Sequence, residues 1–203
     1  MRTLLFSTIS LLMLFVSCSD PTETKPLEAF TFQNLPADPP TGFNPTTGQP
    51  TGTKGKFTFF SFATGGVIPN ADSLTNKWDL GFRGTTIIVN GGANRIGNGG
   101  AIIKSDLFEN ITTAPLDGYS LDGASGYAIP AGSGNGWYTY DGATQTIVPT
   151  AGKVIVIRTG TGRYAKMEIL SYYKDAPAAP TNQTPSRYYT FRYIYQPDGT
   201  VKF

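Results

Sequence analysis

Two long alternating segments separated by a three-residue turn constrain this chain more than any other feature. KVIVIRTGTGRYAKMEILSYYK, Lys153–Lys174, reads as two β-strands joined at Gly160-Thr161-Gly162, because a short glycine-bearing link between β-rich runs is a hairpin signal. RYYTFRYIYQPDGTVKF adds a further strand and a Pro-Asp-Gly turn. Upstream, FTFFSF at Phe57–Phe62 reads as a short aromatic strand ended by Thr64-Gly65-Gly66. KWDLGFR at Lys77–Arg83 alternates, with Trp78, Leu80 and Phe82 on one side and Lys77, Asp79, Gly81 and Arg83 on the other, the pattern of a half-buried strand. TTIIV follows it, and then NGGANRIGNGG, Asn90–Gly100, which reads as a tight turn with a bulge. No segment sustains the 3.6-residue apolar period of a helix. The expected fold is therefore all-β, a single antiparallel β-domain. The composition agrees: 24 glycines and 13% aromatic residues against 15% charged suit turns and pleated surfaces.

The start of the chain carries a different signal. MRTLLFSTISLLMLFVSCSD has one positive charge at Arg2 and an apolar run from Leu4 to Val16, too short to span a bilayer and laid out like a secretory leader. A small residue, Ser17, directly precedes Cys18, the only cysteine of the chain. That arrangement resembles a bacterial lipobox, with Phe15 departing from the usual Leu or Val. Residues 1–17 are expected to be a lipoprotein signal peptide and Cys18 to carry diacylglycerol and a further acyl chain such as palmitate, the multiple chains that firm anchoring takes. Residues 18–56 then form a tether. Ser19–Lys56 holds seven of the 15 prolines and little apolar periodicity, with Phe30 and Phe32 the candidates for one short strand at the domain edge. The β-domain is expected at 57–203.

Several chemistries are excluded. The chain has no histidine, which removes Ser-His-Asp and Cys-His nucleophiles and the His-based metal sites. A formal net charge of +2 and scattered basic residues give no nucleic-acid footprint. Eight Lys and Arg against three Asp and Glu in Lys153–Phe203 read as a solvated face. Glu109 and Glu168 are the only glutamates after residue 56, and Glu168 alternates with Lys166 on what is expected to be an exposed strand face. Asp117 and Asp122 each precede glycine, and both read as Asx turns. No paired carboxylates are evident, so the expectation is a non-enzymatic protein.

The aromatic cluster carries the remaining functional signal. In GNGWYTYDG, Gly134–Gly142, Trp137 and Thr139 share one strand face and Tyr138 and Tyr140 the other, with Tyr127 and Tyr119 upstream. Strand aromatics fill a core or wall a ligand pocket. The surrounding glycines favour some exposure.

With these residues in view, the chain resembles the HmuY family of haem-binding surface lipoproteins from Bacteroides-type bacteria. The resemblance rests on WDLGFR at Trp78–Arg83, GNGGAI at Gly97–Ile102, TTAPLDGY at Thr112–Tyr119, Gly136-Trp137, VIVIRTGTGRYAKMEILSYY at Val154–Tyr173 and YTFRYIY at Tyr189–Tyr195. It covers residues 57 to 197 and implies a hand-shaped β fold, displayed on the outer membrane, that holds haem between hairpins and passes it to an outer-membrane receptor. In the best-known members two histidines ligate the iron, and some relatives use two methionines. Here the second ligand position falls at Asp141 or Gly142, and Leu121–Gly136, which would carry the first, has neither His nor Met. Met167 is core by its strand phase. Haem iron also accepts tyrosinate, which makes Tyr127 and Tyr140 the candidate ligands, with Asp141 a hydrogen-bond partner and Arg158, Arg163 or Arg192 a partner for propionates. The alternative is the same scaffold with another ligand, a metal-free porphyrin or a glycan stacked on Trp137 or Tyr138, or an accessory role in an outer-membrane uptake complex.

Overall fold

The computed structural model describes residues 27–46 and 50–203; the leader and Cys18 lie outside them. Thirteen strands follow in order: β1 (Phe30–Pro36), β2 (Gly42–Phe43), β3 (Pro50–Thr51), β4 (Thr58–Ser61), β5 (Gly66–Ile68), β6 (Leu80–Arg83), β7 (Thr86–Val89), β8 (Gly100–Ser105), β9 (Tyr138–Asp141), β10 (Thr146–Pro149), β11 (Lys153–Arg158), β12 (Tyr164–Tyr173) and β13 (Ser186–Gln196). Two single 3-10 turns, at Asn70–Asp72 and Phe108–Asn110, are the only helical elements among the described residues. The all-β expectation holds, and so does the hairpin at Gly160-Thr161-Gly162, where β11 and β12 pair from Val154↔Glu168 to Arg158↔Tyr164.

The strands form a five-stranded sheet ordered β1-β13-β12-β11-β8, a four-stranded sheet ordered β5-β4-β6-β7, and the two-stranded ribbons β9-β10 and β2-β3. All strand pairs are antiparallel. The two larger sheets share one core. Leu80, Phe82, Ile87 and Val89 from the smaller sheet meet Ile155, Ile157, Met167, Tyr189 and Phe191 from the larger, and Trp137 and Tyr138 join them.

Further layers explain why alternation misleads in places. The far side of the five-stranded sheet is covered by Phe108, Ile111, Ala114 and Phe203 over Val154, Val156 and Ile194. β11 is therefore buried on both faces, which is what a continuous VIVI run allows. Lys166 lies on that covered side and is 3% exposed, not on the solvated face that alternation predicts. Its ammonium donates to the carbonyls of Phe108 at 2.7 Å and Ile111 at 2.8 Å and sits 4.4 Å from the Phe108 ring centroid. The outer side of the four-stranded sheet is closed by Phe59, Trp78 and Ile88.

Asp79 is likewise buried rather than solvent-facing, accepting from Phe62 N at 2.7 Å and Gly160 N at 2.9 Å. Asp122 makes no Asx turn. It accepts from Val89 N, Ala128 N and the Arg95 guanidinium, and so ties the 90–100 loop to the segment carrying Tyr127. Gly92, at φ +102°, passes so close to the Asp122 carbonyl that a Cβ there would collide with it.

The ordered sheet also begins ahead of residue 57. β1 pairs with β13 from Phe30↔Tyr193 to Pro36↔Tyr188 around a bulge, so the Phe30 and Phe32 strand is real and longer than two residues suggest. Leu35 and Ala37 are fully buried, and Ala37 bridges the Arg187 carbonyl and Gly84 N at 2.8 Å each.

Candidate functional site

The β9–β10 ribbon is the element on which the sequence concentrates its aromatic residues. It pairs Tyr138↔Pro149, Thr139↔Val148, Tyr140↔Ile147 and Asp141↔Thr146. At its base, Trp137 and Tyr138 turn into the core. Trp137 is 2% exposed, donates from Nε1 to the Thr85 carbonyl at 3.1 Å, and packs against Tyr138, Tyr172 and Tyr189 at 4.8, 5.8 and 5.1 Å between ring centroids. The Tyr138 hydroxyl lies 3.5 Å from Thr85 Oγ1. The Tyr189 hydroxyl donates to the Gly84 carbonyl at 2.9 Å. These rings form a closed nest under the β6–β7 turn. This corrects the expectation that Trp137 or Tyr138 offers a stacking face, because both are sealed by packing and by that turn.

Past Tyr138 the ribbon leaves the body of the domain, and the same strand face opens. Tyr140 is 51% exposed, and its backbone N–H is held by Ser133 Oγ at 2.8 Å. Asp141 caps the turn, its Oδ1 accepting from Ala143 N at 2.9 Å and Thr144 N at 3.4 Å. Donation from the Thr144 side chain and those backbone groups holds its carboxyl below the ordinary aspartate range. Asp141 is therefore engaged in shaping the turn.

Tyr127 stands on a separate element. Gly123 and Gly126 exchange backbone hydrogen bonds in a tight loop, and Ala128 and Ile129 enter the core just after it, leaving Tyr127 42% exposed.

Between β10 and the C-terminal half of β12 runs a groove of 510 Å³, walled by Ile147, Pro149, Ile169, Tyr172 and Tyr173 and closed by Pro177–Pro180. It exists because β11 pairs with β12 only as far as Glu168, so the remainder of β12 faces the ribbon instead. The volume lies within the range of small-molecule pockets. Ile147 N donates to the Tyr173 hydroxyl at 2.8 Å across it. Thr150, also in the wall, keeps a buried Oγ1 with no hydrogen-bond partner. Neither Tyr127 nor Tyr140 lines the groove, although Tyr140 is close enough to Tyr173 to act on its ionisation. Sequence reasoning missed this groove. Its only trace is the Tyr-Tyr pair followed three residues later by Pro177-Ala-Ala-Pro180.

Exposure sorts the tyrosines of this region. Burial pushes the phenols of Tyr172, Tyr173 and Tyr189 up, which keeps them neutral. Tyr127 and Tyr140, the ligands that the sequence offers, are 42% and 51% exposed. Met167, the one methionine among the described residues, is fully buried in the shared core, and no cluster of three acidic or thiol side chains forms there.

Of the candidate propionate partners Arg192 is ion-paired, while Arg158 and Arg163 each give one donor of the guanidinium fork to a backbone carbonyl. Arg192 binds Glu168 and Glu109, each at 2.8 Å, Arg158 donates to the Asn98 carbonyl at 2.7 Å, and Arg163 donates to the Asp198 carbonyl at 3.1 Å.

A family model described as HmuY protein matches residues 53–193. No curated relative matches the chain. Among solved structures, an apo HmuY analog from Tannerella forsythia shares 18% identity, with 88% of this chain and all of that one covered at a TM-score of 0.46. Apo PinO, described as from Porphyromonas gingivitis, shares 16%, with 86% and 99% covered at 0.48. A candidate HmuY-like haem-binding protein from Bacteroides vulgatus shares 18%, with 69% and 85% covered at 0.44.

Proposed function

The chain belongs to the HmuY family, and from that premise we propose that it is a non-enzymatic lipoprotein, anchored through Cys18 in the outer membrane and displayed at the cell surface, that captures haem and delivers it to an outer-membrane receptor. The observation that carries the reading is the projecting β9–β10 ribbon. It exposes Tyr140 beside Tyr173 and flanks an apolar groove of 510 Å³. Tyr140 or Tyr127 would ligate the iron, and the apolar wall of the groove would cover part of the macrocycle. Haem, when bound, would supply a redox-active iron as cargo. The protein's own contribution is to bind and shield it. Asp141 holds the turn that presents Tyr140.

The ligand set favours a second reading: the chain has no histidine and Met167 is fully buried, so the same groove would take a ligand held without iron ligation, such as a metal-free porphyrin or a glycan, or a partner of an uptake complex.

Both readings are tested by following the fluorescence of Trp78 and Trp137, the only tryptophans, while haemin and metal-free protoporphyrin are titrated into the chain from Ser19 onward. Haem binding predicts saturable quenching by haemin that is tighter than quenching by protoporphyrin. Equal affinities support the second reading, and no saturable quenching by either rejects a porphyrin ligand.

A further inference from the structure

A second concavity is bounded by the chain leaving β1, the foot of the β2–β3 ribbon and the start of β4. It measures 520 Å³, and its polar lining is Asp38, Thr41, Lys54, Lys56, Thr58 and Asn70. It shares no residue with the β10–β12 groove. Lys54 and Lys56 are exposed, and neither ammonium has a partner among the described residues.

The backbone between the two lysines is held in place. Asp38 accepts from Lys54 N at 2.7 Å and Gly55 N at 2.9 Å, and Arg83 donates to the Gly55 carbonyl at 3.1 Å. The one carboxylate in the lining is thus committed to backbone N–H groups and touches neither ammonium. Two more cations adjoin the wall: Arg83, and Arg187, which donates to the Asp38 carbonyl at 3.0 Å. No ion pair among the described residues involves any of the four. Asp72, on the 3-10 turn that carries Asn70, is already paired with Lys77 at 2.8 Å. A concavity whose charges are mostly of one sign concentrates ligands of the other.

The neutral part of the lining says which kind of anion fits. Phe57 is the only ring in the wall, and the Arg83 guanidinium lies 4.3 Å from its centroid, which closes that face to a stacked base. What remains beside the lysines is two hydroxyls and an amide, groups that fix a ligand's orientation by hydrogen bonds. Cations among hydroxyl and amide groups match a ligand that carries negative charges among hydroxyls of its own. We propose that this groove binds an acidic oligosaccharide, with its carboxylate or sulfate groups against Lys54 and Lys56 and its hydroxyls against Thr41, Thr58 and Asn70. The site stands apart from the haem reading.

The test uses the full chain in neutral detergent and follows the anisotropy of labelled hexasaccharides: a heparin fragment, an oligogalacturonate and neutral maltohexaose. Labelled hexa-aspartate serves as a peptide of comparable charge. Saturable binding of an acidic sugar is expected, with hexa-aspartate weaker and maltohexaose inert. Oligogalacturonate binding marks a carboxylate site, and binding of the heparin fragment alone marks a sulfate site. Lys54→Gln combined with Lys56→Gln should weaken the acidic sugar about tenfold or more, as loss of charge-assisted hydrogen bonds predicts. Lys104→Gln combined with Lys202→Gln removes the same charge elsewhere and should change binding by less than about twofold, because salt screens distant charges. Equal effects of the two pairs would overturn the site, as would hexa-aspartate binding as tightly as the sugars, or no saturable binding of either acidic sugar. Each of these outcomes leaves the haem reading untouched.

Discussion

The backbone N–H of Ile147 donates to the side-chain hydroxyl of Tyr173 at 2.8 Å, so one phenol ties the projecting ribbon to the five-stranded sheet. That N–H points away from β9, and Pro149, two residues on, has none to offer. The groove-facing edge of β10 is thereby blocked to an added strand. Tyr173→Phe keeps the ring and removes the acceptor. It should raise the hydrogen-exchange rate of the Ile147 amide by roughly 5–10-fold, as a net hydrogen bond of about 1 kcal/mol predicts, while amides in β11 stay protected.

Trp137 is a structural residue. Trp137→Ala should lower unfolding free energy in urea by about 3–5 kcal/mol, the cost of emptying a large buried aromatic site. Trp137→Phe, which fills most of the volume but leaves the Thr85 carbonyl without its donor, should cost about 1–3 kcal/mol.

Asp79 should give stability an unusual pH profile. Burial raises its carboxyl to about 6 from 3.8, against the lowering effect of hydrogen bonds from Phe62, Gly160 and Ser61. Between those values the folded chain holds a proton that the unfolded chain has lost, so stability falls as pH rises through the window. The contribution is complete below about 3.8 and gone above about 6. Asp106, Glu109, Asp141 and Asp198 are shifted downward and push the other way as pH falls. The difference between wild type and Asp79→Asn isolates the effect of this carboxyl. Urea midpoints at pH 4 and pH 7 should show the wild type losing more stability over that range than the variant.

Lys166 should be needed for its charge as well as its stem. Burial lowers its pKa, yet the ammonium satisfies two carbonyls that close the 3-10 turn at Phe108–Asn110 over the sheet. Lys166→Met keeps the apolar stem and leaves both carbonyls without that donor. A loss of about 1–3 kcal/mol is expected, with increased exchange at Phe203 N, which donates to the nearby Thr112 carbonyl.

What the sequence made legible follows from how far each residue's surroundings are local. The β11–β12 hairpin was readable because its turn and both strands are contiguous, and the core position of Met167 followed from its phase alone. Lys166, Asp79 and Asp122 were misread because alternation and turn rules assume a sheet with one wet face. Here a 3-10 turn, the C-terminal Phe203 and the 90–100 loop cover the other faces, and nothing near those residues in sequence announces it. Tyr138 and Tyr140 share one face, yet one is buried and the other open, because the ribbon leaves the body between them. The groove needed β11 to stop pairing with β12 at Glu168, a tertiary fact without a local signature.

A haemin titration watched in the Soret region decides whether this chain holds haem through tyrosine. Tyrosine ligation predicts a saturable, shifted Soret band for the wild type that collapses in Tyr140→Phe or Tyr127→Phe, with both variants folded by circular dichroism. A spectrum indistinguishable from free haemin, or a shifted band unchanged in the double variant, would contradict it.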